Sequence, residues 1–234
     1  MPDDLSPDDI VVLNRAATIA RLLSGVAHEV NNALQVISGS VELLEDVALP
    51  EQARVRIGRI RTQHDRAAMV VQNLVAFSRE RPEGTARVSL RDLLTRAVGL
   101  RAYAAGRAGL QLDLAMPEGR PLLVMGNLME LQQAVLNLIA NAEQALAGSA
   151  GGVIRVGVTE EAGGLAVRIS DNGPGVPEAL RERVFEPLFT TRPRTEAVGL
   201  GLAAASRIAA RAGGTLSLEP AAQGASFVLW LPAA

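Results

Sequence analysis

Histidine, clustered asparagines and glycine-flanked turns are what this chain offers for chemistry, because it has no cysteine and therefore no thiolate nucleophile, thiolate metal site or disulfide. The string Leu23-Ser24-Gly25-Val26-Ala27-His28-Glu29-Val30-Asn31-Asn32 sets an imidazole beside a carboxylate. Asn32 and Gln35 follow His28 by four and seven residues, which puts all three on one polar helical face. A neutral imidazole presented there is a candidate nucleophile, although a lone exposed histidine is more often inert. His64 falls on an apolar seam and reads as a satisfied core histidine.

Three further groups could hold a ligand. Asn137 and Asn141 lie four apart on one flank of a helix striped by Leu131, Val135, Leu138, Ile139 and Ala142. Their carboxamide oxygens could coordinate a hard cation, or the two could simply be solvated. Ser170-Asp171-Asn172-Gly173-Pro174-Gly175 follows an apolar strand, so a carboxylate there could accept a hydrogen bond from an exocyclic amine while the glycines permit close backbone approach. Turns of that composition are also common without a ligand. Gly199-Leu200-Gly201-Leu202 opens a helix whose first amides suit an anion such as a triphosphate, with Arg192 and Arg194 just upstream. An ordinary loop feeding a helix has the same pattern. No Gly-Lys-Ser/Thr follows, which excludes a P-loop, and the strand-turn-helix frame of a dinucleotide fingerprint is missing.

The elements that must position these groups follow from periodicity. Leu13, Ala16, Ala20, Leu23, Ala27, Val30, Leu34, Ile37, Val41 and Leu44 step by three and four, and Ile57, Ile60, His64, Ala67, Val71, Leu74 and Ser78 repeat the pattern after the short turn Val47 to Pro50. Two helices joined so tightly pack antiparallel, and a lone pair leaves much of each stripe wet, so a homodimeric four-helix bundle is expected. The polar stretch Arg79 to Ala86 reads as a hinge. Beyond it strands are expected near Arg87 to Leu90, Leu110 to Leu114, Leu122 to Met125, Val153 to Thr159, Leu165 to Ser170, Thr215 to Leu218 and Ser226 to Leu231. Helices are expected near Arg91 to Arg107, Leu128 to Leu146, Glu178 to Arg183 and Leu200 to Ala212. The fold class is α+β with two domains, a helical hairpin at 1–80 and an α/β sandwich at 87–234 with its helices on one face of a mixed sheet.

These strings stand in the order found in two-component histidine kinases, which the chain resembles over essentially its whole length after residue 10. Leu23 to Asn32 resembles the phosphoacceptor box, Leu131 to Leu146 the N box, Asp171 to Gly175 the first glycine box, Phe185-Glu186-Pro187-Leu188-Phe189-Thr190-Thr191 the F box, and Gly199 to Leu202 the second glycine box. Gly213-Gly214-Thr215 and Phe227 to Pro232 resemble the terminal hairpin. The resemblance implies a GHKL (Bergerat) ATP-binding sandwich. Asn141 would bind Mg²⁺, Asn137 would support metal and phosphates, and Asp171 would hydrogen-bond the adenine amine. Gly173, Gly175, Thr190, Thr191, Arg192, Gly199, Leu200, Gly201 and Leu202 would complete the ATP site, with Phe185 to Ala197 as a lid. His28 would take the γ-phosphoryl group, Glu29 would fix its tautomer, and Asn32 would orient a water for a reverse phosphatase activity. The phosphoryl group would pass to an Asp of a response-regulator receiver domain.

Three departures from the usual pattern stand out. Asn32-Ala33 replaces Asn-Pro, which weakens the expected helix bend; Leu188 replaces Phe; and Thr195, Ala197 and Val198 replace Gly, Gly and Thr, which stiffens the lid. Two other readings remain, a non-catalytic phosphotransfer scaffold and a GHKL ATPase whose catalytic carboxylate would be Glu130 or Glu143.

Composition narrows the partners. A net charge of −2, from 23 basic and 25 acidic side chains in 234 residues, provides no basic field for nucleic acid. Every basic residue is Arg, which reads as coding bias. No apolar run approaches a membrane span, and Met1 to Asp9 lacks the features of a signal peptide, so a cytoplasmic location is expected. The input signal is expected from a separate sensor or upstream protein, unless the chain is the core of something longer.

Overall fold

The structure, a computed structural model, describes residues 29–44, 47–78, 84–192 and 198–234. His28, the seam from Leu13 to Ala27, most of the expected hinge, and Arg194, Thr195 and Ala197 lie outside the described residues. The chain divides into two compact units, Met1–Glu80 and Arg81–Ala234.

In the first unit, α1 (residues 29–44) and α2 (Glu51–Ser78) form the expected helical hairpin. Helix α1 runs unbroken through Ala33. Pro50 starts α2: its carbonyl accepts from the amides of Ala53 and Arg54 at 2.9 and 3.1 Å, and Glu51 suits the positive end of the helix dipole. Leu34, Val41 and Ile57 are buried, as seam positions should be. His64 departs from expectation. It is only partly buried and is satisfied by a carboxylate, with Nδ1 3.0 Å from Oδ1 of Asp65.

The second unit contains β1 (Ala86–Ser89), α3 (Leu90–Arg107), β2 (Gln111–Ala115), β3 (Leu123–Gly126), α4 (Leu128–Ala145), β4 (Val153–Glu161), β5 (Gly164–Asp171), α5 (Gly201–Arg211), β6 (Thr215–Glu219) and β7 (Ser226–Pro232). Strands β1 and β3 pair as a separate antiparallel ribbon. The main sheet has the order β2-β4-β5-β7-β6, and only β2 and β4 run parallel. Its register aligns Leu114, Val156, Ile169, Phe227 and Leu218 in one row across all five strands. Because side chains alternate along a strand, this row and its neighbours two residues away share the face that the helices cover. Each Leu or Ile fully buried there contributes about 2 kcal/mol. The opposite face is polar, with Arg168 bonded to Glu219 at 2.8 Å and Ser170 to Ser226 at 3.0 Å.

Helix α4 buries Leu131, Ala134, Val135, Leu138, Ile139 and Ala142, and α5 meets it with Ala203, Ala204, Ala205 and Ala209, small enough for close approach. The expected helix at Glu178 to Arg183 is instead two 3₁₀ turns, Glu178–Leu180 and Arg183–Phe185. Pro177 precedes it, and six residues are too few to repeat an α-helical ladder.

Candidate nucleotide-binding site

The helix starts differ in a way that matters for an anion. Ser89 caps α3 by accepting from the Asp92 amide, and Asn127 caps α4 by accepting from the Glu130 amide at 3.1 Å. Leu200, at the same position before α5, has no side-chain oxygen, so the first amides of α5 keep their donors for a ligand. Gly199 is needed in front of it. Its φ of 74° is left-handed, its carbonyl accepts from the Leu188 amide at 2.9 Å, and a Cβ would run into the backbone of Leu188 and Phe189. Leu188 also sits at a positive φ, 65°, a strained conformation for a non-glycine residue.

The two asparagines on α4 are not equivalent. Asn137 is 3% exposed; its Nδ2 donates to the Gly201 carbonyl at 3.1 Å and its Oδ1 accepts from Gln133 Nε2 at 2.9 Å. Asn141, one turn further, is half-buried. Among the described residues no cluster of three or more His, Asp or Glu could hold a metal by itself. A single carboxamide oxygen fits a Mg²⁺ that arrives with phosphate oxygens as its other ligands.

Asp171 ends β5 in register with Ile154, so strand alternation turns its side chain onto the apolar face, where it is 5% exposed. One carboxylate oxygen accepts from the amides of Gly173 at 2.9 Å and Ala225 at 3.4 Å. Burial pushes this carboxyl above the usual carboxylate range, opposed by those two amides and by the charge of Arg192. Asn172 locks the turn: Oδ1 accepts from the Val153 amide at 2.7 Å and Nδ2 donates to the Gly151 carbonyl at 3.1 Å. The β6–β7 turn closes over it. Gln223 Nε2 donates to the Asn172 carbonyl at 3.2 Å, and at Gly224 a Cβ would collide with the Asp171 carbonyl. A Cβ on Gly175 would come within 2.7 Å of the Gly224 carbonyl oxygen.

The segment between these turns is anchored by aromatic contacts. Phe185 packs edge-on against Phe227 of β7 at 6.2 Å, and the Arg183 guanidinium stacks 4.5 Å from the Phe189 ring. Thr190 Oγ1 accepts from the Arg192 amide at 3.1 Å, and the Arg192 side chain reaches Gln144 on α4. Thr191 is exposed, Leu200 buried and Leu202 half-buried. Glu29 and Asn32 are exposed on α1, in the other unit.

Gln133, Gln144, Gln223, Gly224 and Ala225 were not singled out in the sequence. Gln133 and Gln144 stand four before Asn137 and three after Asn141, a helical spacing that marks them as neighbours. Nothing local announces the β6–β7 turn as a partner of Asp171. Glu130 and Glu143, the carboxylates an ATPase reading needs, are both in ion pairs: Glu130 with Arg211 at 3.2 Å and Glu143 with Arg101.

A mixed sheet with helices on one face, a buried aspartate at a strand end and an uncapped helix start tied to a buried asparagine define an ATP-binding sandwich of the GHKL type. The family described as histidine kinase-, DNA gyrase B- and HSP90-like ATPase matches residues 126–234, and the His Kinase A (phospho-acceptor) domain matches residues 18–83. The chain belongs to the two-component sensor histidine kinases, of which it comprises the helical hairpin and the ATP-binding unit. It is 32% identical over 226 residues to the C4-dicarboxylate transport sensor protein DctB of Rhizobium meliloti, covering 94% of this chain and 36% of the relative. To the sensory histidine kinase/phosphatase NtrB of the same organism it is 30% identical, covering 93% of this chain and 59% of that protein. The fold resembles that of histidine kinase ThkA in complex with response regulator protein TrrA, with a TM-score of 0.64 and 22% identity over 99% of this chain and 68% of that one. The chain thus spans only part of the length of the curated relatives it matches. Among the described residues no helix is long and apolar enough to cross a membrane.

Proposed function

We propose that the chain is an ATP-dependent protein-histidine kinase that phosphorylates its own His28. The observation that carries this reading is the uncapped start of α5, bonded through Gly201 to the buried Asn137, in a chain that also has a phosphoacceptor hairpin. Asp171 accepts from the adenine amine through its remaining oxygen, and the α5 amides and Arg192 receive the phosphates. Asn141 would hold Mg²⁺, which when bound would neutralise charge on the phosphates. One imidazole nitrogen of neutral His28 forms the bond to the γ-phosphorus as the bond to the bridging oxygen breaks and ADP leaves. Glu29 hydrogen-bonds the other ring nitrogen, selects the nucleophilic tautomer and stabilises the imidazolium that forms.

The phosphohistidine then passes its phosphoryl group to an Asp of a response-regulator receiver domain. Asn32, exposed on α1, orients water for the reverse phosphatase step. The working form is a homodimer, located in the cytoplasm. Incubation with γ-labelled ATP and Mg²⁺ should give acid-labile, base-stable label on the protein. His28→Gln should abolish that label with nucleotide affinity unchanged; label retained in this variant would refute the assignment.

A further inference from the structure

Gln133 meets the oxygen end of the buried Asn137 carboxamide. The Gly201 carbonyl has no proton to give, so the Asn137 atom 3.1 Å from it is the amide nitrogen. Asn137 Oδ1 then points away, towards Gln133 Nε2 at 2.9 Å. At 3% exposure water cannot easily replace that donor.

We propose that Gln133 is a positioning residue for the phosphate end of the nucleotide site. By donating to Asn137 Oδ1 it holds the carboxamide in the one orientation that ties the Gly201 carbonyl, and with it the first turn of α5, to α4. Without that donor a rotated Asn137 would set its oxygen against the Gly201 carbonyl oxygen. Two acceptors repel, and the first turn of α5 would lose the bond that places its uncapped amides. Asn137 on this view is a bracket between helices, and Asn141 is the carboxamide left for the metal. The inference deepens the proposed function and rests on it.

The test is a titration of the full chain with the Mg²⁺ complex of a non-hydrolysable ATP analogue, and separately with AMP, for wild type, Gln133→Met and Gln133→Glu. Methionine keeps the length of glutamine without its donor. Gln133→Met should bind the triphosphate about five- to tenfold more weakly, the equivalent of one hydrogen bond, with AMP affinity nearly unchanged and the melting temperature lowered by only a few degrees. Gln133→Glu should be weakened at pH 8 and regain affinity relative to wild type as the pH falls towards about 5, where a protonated carboxyl can again donate to Asn137 Oδ1. Triphosphate affinity equal to wild type in Gln133→Met would overturn the positioning role, as would equal weakening for AMP and the triphosphate, which would signal general loosening. Absence of binding by the wild-type protein would overturn the proposed function, and the inference with it.

Discussion

Asp171 is held where its own charge is unwelcome. Burial raises its pKa against the pull of two amides and Arg192, so the folded state favours the protonated carboxyl more than the unfolded chain does. Stability therefore declines as the pH rises from the ordinary carboxylate range through the raised folded value, and at neutral pH the ionised group weakens the fold. Asp171→Asn removes that handicap. Its Oδ1 still accepts from Gly173 and Ala225, but on the proposed function an amide nitrogen would then face the adenine amine, donor against donor. The expected outcome is a melting temperature at or above wild type at neutral pH, with the difference vanishing on acidification, and ATP affinity at least tenfold lower. Calorimetry at several pH values and a binding titration check both halves.

Between elements, the contact at greatest risk is the ion pair from the first turn of α4 to the last turn of α5. Glu130 and Arg211 side chains are 9% and 8% exposed and meet through two contacts, Nη2 to Oε1 at 3.2 Å and Nε to Oε2 at 3.3 Å. Each charge also faces the helix-dipole end that suits it. Arg211→Leu strands a buried carboxylate and should cost about 3 kcal/mol in chemical denaturation, whereas Glu130→Leu with Arg211→Leu should recover most of that loss. Apart from the expected helix at Glu178 to Arg183, the strands and helices of the second unit were legible, because alternation and three-four spacing come from each segment's own solvent contrast, and their ends fell within a residue or two of those expected. Burial of Asp171 was legible in principle too, from its alternation with Ile169. What sequence could not show were bonds between distant segments: Glu130 with Arg211, and the β6–β7 turn with Asp171. The paired asparagines read as equals because their different hydrogen bonds depend on where α5 begins.

For the molecule as a whole, the hairpin leaves apolar surface without cover. Ile37, Leu44 and Ile60 follow the seam yet are 42%, 44% and 48% exposed in a single chain. A second copy is the simplest way to cover them, and Ile60→Glu should shift the protein from dimer to monomer in sedimentation at micromolar concentration. The sandwich raises a matter of timing. Asp171 receives its second amide from Ala225, 54 positions later, over a turn that must fit against Gly224. Closure over such a span comes after local helices and adjacent strands have formed. The pocket around Asp171 is accordingly expected among the last features of the sandwich to be completed, so any ligand that needs it must wait for the scaffold to be whole.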